Sequence, residues 1–306
     1  MSAPVLKPKA IGAGSLVGVV APASPVKMEY VELGVRELEK LGFRVRLGKR
    51  LEKRGRYTAG SLEERLHDWT ELWEDPEVSA LFCARGGYGS MELLTELSPE
   101  SLRENPKVVL GSSDATALLA FLTSASGIVS FHGPMVAQQI ARGHYDGKNL
   151  LEVLGSREPS GTIRVETAEW LHDGAGEGPL LGGCLSIVAA LAGTRFLPPF
   201  RGAILFLEDT ETKPYQIDRM LTQLRLAGLL DGIRGLVFGQ MPGCAQHPDQ
   251  GYTLQEMLRD WTAYLRVPVL FGFPSGHTHS KGLTLPFGVR ARLDGDGLSL
   301  LEGAVS

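Results

Sequence analysis

The chain has 306 residues, 43% of them hydrophobic and 22% charged, with a formal net charge of -4. That balance suits one large or two ordinary globular domains and excludes disorder, and no basic stripe of the kind a nucleic-acid binder carries is present. Met1 to Ala10 lacks a signal peptide's apolar core, no apolar run approaches a membrane span, and Cys83, Cys184 and Cys244 are too scattered for a disulfide framework; together these predict a cytoplasmic protein without nucleic-acid or membrane partners.

Short apolar runs alternate with amphipathic segments through the first half. Leu16–Ala21 reads as a buried strand and Glu29–Leu41 as a helix. Arg44–Leu47 follows as a strand, Leu62–Trp73 as a helix, Val78–Ala84 as a strand and Tyr88–Leu97 as a helix. Val108–Leu110 supplies a fourth strand, a helix begins near Asp114, and Ile128–Phe131 is a fifth strand. This alternation predicts an α/β fold with a parallel sheet covered by helices.

The pattern breaks after about residue 155. "GSREPSGTIRVETAEWLHDGAGEGP" is rich in Gly, Pro, Ser and charge and reads as a linker with a polar strand in it. Beyond it come a helix at Leu185–Ala192, an apolar strand at Ala203–Leu207, a helix near Ile217–Ala227, and a β-hairpin in "GVRARLDGDGLSLLEG". The predicted organisation is an N-terminal α/β domain over residues 1–155, a linker over 156–175 and a β-richer domain over 176–306.

Several motifs bear on chemistry. "IGAGSLVG" imitates a dinucleotide fingerprint, but its glycines precede the strand instead of following it, and the third glycine is missing, so no dinucleotide site is expected. "VVLGSSDATALL" puts Ser112, Ser113 and Asp114 where a buried strand turns into a helix. These residues either cap the helix or form a nucleophile elbow. "CARGGYGS" follows a strand end, and its consecutive glycines allow backbone N–H groups to reach a ligand, as an oxyanion hole or a phosphate cradle or simply as a tight turn.

Glu208 and Asp209 end an apolar strand, where a carboxylate is costly unless paired or used, and Asp209 suits capping of the following helix. His277 and His279 share a Gly/Pro-rich loop. Neither they nor Cys244 with His247 find a third ligand at matching spacing, so no metal is expected. A histidine used as a general base needs only a nucleophile and an orienting carboxylate. Ser, Glu and His occur in that order, but "GSSDA" has alanine where an α/β-hydrolase elbow has its last glycine, and the β-rich second half does not suit that fold.

"NPKVVLGSSDATALL", "RGGYGS", "FHGPM", "GGCLSIVAALAGT", "LEDTETKPYQIDRML" and "FPSGHTHSKGLTLPFG" together resemble the LD-carboxypeptidases, serine peptidases of the murein tetrapeptide carboxypeptidase type. The likeness runs from "VVAPASP" to "LPFG". It implies a Rossmann-like N-terminal domain, a β-rich C-terminal domain and a homodimer. It makes Ser113 the nucleophile, Glu208 the orienting carboxylate and His277 the base, with an oxyanion hole from the amides of Gly86, Gly87 and Asp114 and no cofactor. By this reading Asp114 and Thr116 serve the helix start, and Arg85, beside the glycine cradle, is a candidate for recognising a substrate carboxylate or else a structural ion-pair partner. Cys184 stands where many relatives have asparagine. The implied substrate is a peptidoglycan-derived tetrapeptide. Microcin C immunity-type peptidases, which cleave acyl-sulfamoyl adenylates, are the alternative within the family and would need an aromatic platform such as Trp170 or Tyr215. A non-catalytic binding protein of the same fold is a third reading.

Overall fold

The computed structural model describes residues 5–306. The N-terminal half forms β1 (Leu16–Val20), α1 (Met28–Lys40), β2 (Arg44–Leu47), α2 (Leu62–Glu74), β3 (Val78–Cys83), α3 (Ser90–Leu93), α4 (Pro99–Glu104), β4 (Val108–Gly111), α5 (Thr116–Ser124), β5 (Ser130–His132) and α6 (Gly147–Gly155). The strands β1 and β4 are buried along their whole length, as expected where helices cover both faces of a parallel sheet. Ser61 and Glu64 close a capping box that starts α2, while α1 turns Val31, Gly34 and Leu38 inward at helical spacing. The segment expected as one helix over Tyr88–Leu97 shortens to α3, because Gly87 and Gly89 hold φ values of 111° and 131° and delay the helical turn.

The second half forms β6 (Gly161–Ile163), β7 (Glu169–His172), β8 (Gly176–Cys184), α7 (Leu185–Leu191), β9 (Ile204–Glu208), α8 (Pro214–Leu226), β10 (Gly235–Gly239), α9 (Leu254–Thr262), β11 (Val269–Phe273), β12 (Leu285–Phe287), β13 (Arg290–Asp294) and β14 (Gly297–Leu300). Six strands make the first sheet in the order β12-β5-β4-β3-β1-β2, parallel except for β12. Eight make the second, in the order β6-β14-β13-β8-β9-β10-β11-β7, with β8 to β11 parallel at its centre.

Two features of the division differ from expectation. The segment 156–175 carries β6 and β7, which are the two edges of the second sheet. From the C-terminal part, β12 crosses over to pair with β5 at the edge of the first. The cores are shared as well. Ile204 and Phe206 of β9 join the hydrophobic cluster of the first sheet, while Leu205 and Leu207 face the opposite way, toward α7, α8 and α9. No helix among the described residues is long and apolar enough to cross a membrane.

A buried junction joins the sheets near their carboxyl ends. The Cys184 N–H donates to Thr116 Oγ1 at 3.0 Å, tying the end of β8 to the first residue of α5. Gly183 lies against the same threonine: it has φ 135°, and a Cβ there would stand 2.6 Å from Thr116 Oγ1. Gly193 has φ 87° but open space around it. Gly183→Ala is therefore expected to combine backbone strain with overpacking and destabilise by about 2–4 kcal/mol, whereas Gly193→Ala costs about 1 kcal/mol. Thermal or denaturant midpoints of the two variants check this, and equal losses would refute the crowding at the junction.

Candidate active site

The turn after β4 departs from ordinary helix entry. Ser112 is extended, and Ser113 follows with φ 56°, a left-handed conformation that a non-glycine residue adopts only at a cost. The two serines separate in exposure. Ser112 is buried and its Oγ has no hydrogen-bond partner, whereas Ser113 is half-buried. Gly111 permits the sharp turn, since a Cβ there would come within 2.8 Å of Ala115 Cβ and 3.0 Å of Cys83 Sγ. Ala115 stands where an α/β-hydrolase elbow has its last glycine, and packs close against Gly111 at the strand end.

The glycine cradle leads from β3 to α3 and packs on this turn. A Cβ on Gly86 would stand 2.7 Å from Ser113 Oγ, so Gly86 lies directly against the serine. Gly87 turns the other way, toward Ser24, whose hydroxyl accepts from the Tyr88 N–H at 3.1 Å and donates to Tyr57 O at 2.8 Å. Among the described residues, the N–H groups of Gly86, Gly87 and Asp114 donate to no protein acceptor. The Gly86 position lies against both Ser113 and the Asp114 N–H, since a Cβ there would stand 3.3 Å from Asp114 N.

Asp114 and Thr116 were expected to serve the start of their own helix, and neither does. The Asp114 carboxylate accepts from the Ser90 N–H at 2.8 Å and so holds the cradle to the elbow. Burial pushes its pKa up despite that bond and the nearby Arg65. Thr116 accepts from Cys184, as described. Arg65, which the sequence reading missed, is buried and donates to Pro22 O and Gly89 O, each at 2.8 Å, and pairs with Glu92. An arginine inside an amphipathic helix pattern gives no signal of such a role. Arg85 donates to Pro25 O at 3.0 Å; its Nε is buried without a partner, and among the described residues no acid pairs with it.

Glu208 ends β9 with no exposed surface. Its Oε2 accepts twice from His277, from Nδ1 at 2.7 Å and from the backbone N–H at 2.9 Å. Burial alone would push the Glu208 carboxyl up, but the charge and hydrogen bonds of His277, with His132 beside them, hold it down at about 2. Burial lowers the His277 pKa, yet the charge and hydrogen bond of Glu208 outweigh it, and the imidazole is raised above its ordinary value. The loop is shaped for this contact: a Cβ on Gly276 would stand 2.5 Å from Glu208 Cδ, and one on Gly239 2.5 Å from Glu208 Cβ. Gln240 Oε1 accepts from the His279 N–H at 2.8 Å and the Ser280 N–H at 3.3 Å, pinning the loop beyond His277.

The elbow and the Glu208–His277 pair lie on different sheets, and two links bring them together. Cys184 is in register with Glu208 and bonded to Thr116. His132 is in register with Gly111, two residues before Ser113, and its Nε2 lies 3.7 Å from Glu208 Oε1. Ser113 and His277 form no hydrogen bond with each other in this structure. Asp209 caps α7 instead of the helix that follows it, accepting from the Ser186 N–H at 2.9 Å. Trp170 lines a cavity of about 250 Å³ with Arg164, Ala168, Leu270 and Asp296 that includes none of these residues, and Tyr215 lies exposed under Arg219.

Neither His277 with His279 nor Cys244 with His247 belongs to a cluster of three metal-ligating side chains among the described residues. His277 Nδ1 is engaged by Glu208, His279 is exposed, and Cys244 is buried while His247 is exposed. A group of His67, Asp68 and Glu71 does gather on α2, but Arg50 lies against His67 and Asp68 and Lys49 pairs with Glu71.

Residues 17–133 match the LD-carboxypeptidase N-terminal domain and residues 177–293 the LD-carboxypeptidase C-terminal domain. A probable murein peptide carboxypeptidase of Bacillus subtilis is 34% identical over 98% of this chain and 95% of its own. The microcin C7 self-immunity protein of Escherichia coli is 28% identical over 90% of this chain and 88% of its own. The structure of a muramoyltetrapeptide carboxypeptidase from Oxalobacter formigenes superposes with a TM-score of 0.82 at 32% identity, covering 93% of this chain and 97% of that one. With both domains matched and a relative 34% identical over 98% of this chain, the chain belongs to the LD-carboxypeptidase family.

Proposed function

We propose that this protein is a serine-type LD-carboxypeptidase. Its substrate would be a peptidoglycan-derived tetrapeptide, cut between the L-centre of the diamino acid and the terminal D-alanine. It would act as a cytoplasmic homodimer in murein recycling, without metal or organic cofactor. The observation that carries the reading is the 2.7 Å contact between His277 Nδ1 and the wholly buried Glu208. That contact leaves Nε2 as the free nitrogen of a histidine whose ring is oriented and whose imidazolium is stabilised.

In this mechanism Ser113 Oγ attacks the peptide carbonyl while His277 Nε2 takes its proton. The oxyanion is met by the amides of Gly86 and Asp114, with Gly87 adjoining. His277 then gives the proton to the departing D-alanine nitrogen. Water, deprotonated by the same imidazole, opens the acyl-enzyme and restores Ser113. The left-handed backbone at Ser113 supports this role, since strain of this kind persists where surrounding structure holds a side chain in one aim.

Release of D-alanine from muropeptide tetrapeptide, compared with cleavage of an acyl-sulfamoyl adenylate, tests the substrate class. Ser113→Ala is expected to remain folded and lose on the order of 10^4-fold in kcat, because triad members act as a unit. Ser112→Ala is expected to retain activity within a few-fold. The reverse outcome would move the nucleophile to Ser112.

The His277 pKa makes a signed prediction. The base must be neutral in the free enzyme, so kcat/KM falls as pH drops through a value above the ordinary histidine figure of about 6.5. Glu208→Gln removes the charge that raises the imidazole and leaves burial, which lowers it, so the acid limb moves down in pH while kcat drops on the order of 10^3-fold or more. An acid limb that moves upward in Glu208→Gln contradicts the assignment.

Arg85 is proposed to meet the substrate's terminal carboxylate, because its guanidinium has an unpartnered Nε and no acid beside it among the described residues. The enzyme is then expected to prefer the tetrapeptide acid over its C-terminal amide by roughly ten- to a hundred-fold in kcat/KM, with the preference reduced in Arg85→Ala. A preference that survives unchanged in Arg85→Ala leaves that arginine with only its bond to Pro25 O.

A further inference from the structure

The mechanism leaves a second histidine unused. His132, the last residue of β5, is fully buried, with its ring centroid 5.2 Å from that of Phe206 and 5.5 Å from that of Phe287. Its Nδ1 is 3.1 Å from Ser275 Oγ, and its Nε2 lies 3.7 Å from Glu208 Oε1. Both atoms of that last pair are buried and lack a hydrogen-bond partner. A buried carboxylate oxygen without a donor is costly, and the same holds for an unpartnered ring nitrogen, so two such atoms facing each other form an incomplete bond. Closing it to the ordinary length of about 3.0 Å takes a movement of roughly 0.7 Å.

We infer that His132 is a positioning residue for Glu208: it carries a hydrogen on Nε2 and donates it to Oε1, so that the orienting carboxylate is gripped by one imidazole on each oxygen. This rests on the reading of Glu208 as the partner of the base. Two contacts bear on the ring's hydrogens. Ser275 Oγ donates to Leu283 O at 2.8 Å and lies 3.1 Å from Nδ1. Its single hydrogen cannot serve both, so an Nε2–H on a neutral ring requires Ser275 to turn that hydrogen from Leu283 O to Nδ1. The carboxylate favours the exchange, because an Nε2 lone pair set against Oε1 inside the protein would have no water to screen it.

The other titratable groups around Glu208 are His277, Asp209 and the thiols of Cys184 and Cys244. Burial pushes both thiols up and keeps them neutral, Cys244 at about 11. None of these supplies a donor to Oε1. The functional consequence is twofold. With both oxygens held, the carboxylate cannot rotate away from His277, and part of its charge is drawn toward β5. Removing the donor leaves a more basic carboxylate, which raises the proton affinity of His277.

The experiment pairs variants with a direct observation of the tautomer. In the resting wild-type enzyme, 15N-histidine NMR is expected to show His132 protonated at Nε2; an unprotonated Nε2 overturns the inference whatever the catalytic residues prove to be. His132→Phe keeps the ring's packing and removes the donor, whereas His132→Gln keeps a donor near the Nε2 position. The phenylalanine variant is expected to lose about ten- to a hundred-fold in kcat with little change in KM, and to move both the acid limb of kcat/KM and the NMR titration of His277 to higher pH. The glutamine variant is expected to recover most of both effects. Equal losses in the two variants with an unmoved titration would assign His132 to packing alone. Should His132→Phe fail to fold, the tautomer and the His277 titration in His132→Gln still decide. Failure of the serine mechanism itself would appear separately, as activity retained in Ser113→Ala.

Discussion

A negative charge at the end of a buried strand governs the carboxyl-terminal edge of this molecule. Glu208 is wholly enclosed, and an isolated carboxylate in such a place would protonate or destabilise the fold. What keeps it ionised is a histidine that donates twice to one oxygen. Those two bonds need the loop after β11 to fold back over β9, which Gly276 allows by approaching the carboxylate where no side chain fits. Gln240 then takes the backbone N–H groups beyond the histidine. The loop conformation, the ring orientation and the ionisation of Glu208 are therefore one arrangement, and none is stable without the other two.

The turn at Ser113 answers a different constraint. A strained serine stays aimed only if its neighbours leave it nowhere else to go. Gly86 presses on the Ser113 side chain, Gly111 brings β4 close to Ala115, and Asp114 binds the start of α3. The Asp114 carboxylate thus serves the glycine cradle and not its own helix. It couples the shape of the cradle to the shape of the elbow, so that the two cannot shift independently.

Much of this was legible in the sequence, and what was not has a physical reason. The strand-helix alternation from Leu16 to Ser124 is local, and apolar periodicity reports it directly. The elbow serine, the strand-end glutamate and the loop histidine were marked by residue types that are expensive where they lie. The strand β8 was hidden, because its first residues, "GEGP", close the stretch that reads as linker. Its glycines are there for close packing: a Cβ on Gly176, Gly178 or Gly182 would overlap the backbone carbonyl of Arg234, Gly202 or Phe206. The crossing of β12 to the first sheet, the capping of α7 by Asp209 and the tie of Asp114 to Ser90 are long-range pairings that no short window of sequence contains. His132 sits in the quoted "FHGPM", but a lone histidine at a strand end gives no sign that its partner lies 76 residues away (208 − 132) on another sheet.

The division of labour between the two sheets explains why they share a core. In the proposed mechanism attack requires the reacting groups to be held within a fraction of an ångström, a tolerance that two domains hinged on a flexible linker would not meet. Ser113 follows a strand of the first sheet and His277 a strand of the second, so their spacing is set by how the sheets pack. Phe206, two residues before Glu208, belongs to the core of the first sheet and stacks near both His132 and Phe287. The strand that carries the carboxylate is therefore seated in the domain that carries the serine. A side chain that alternates inward at Phe206 and again at Glu208 turns ordinary strand periodicity into alignment of the carboxylate with His277 and His132, since the same face that anchors β9 carries the charge.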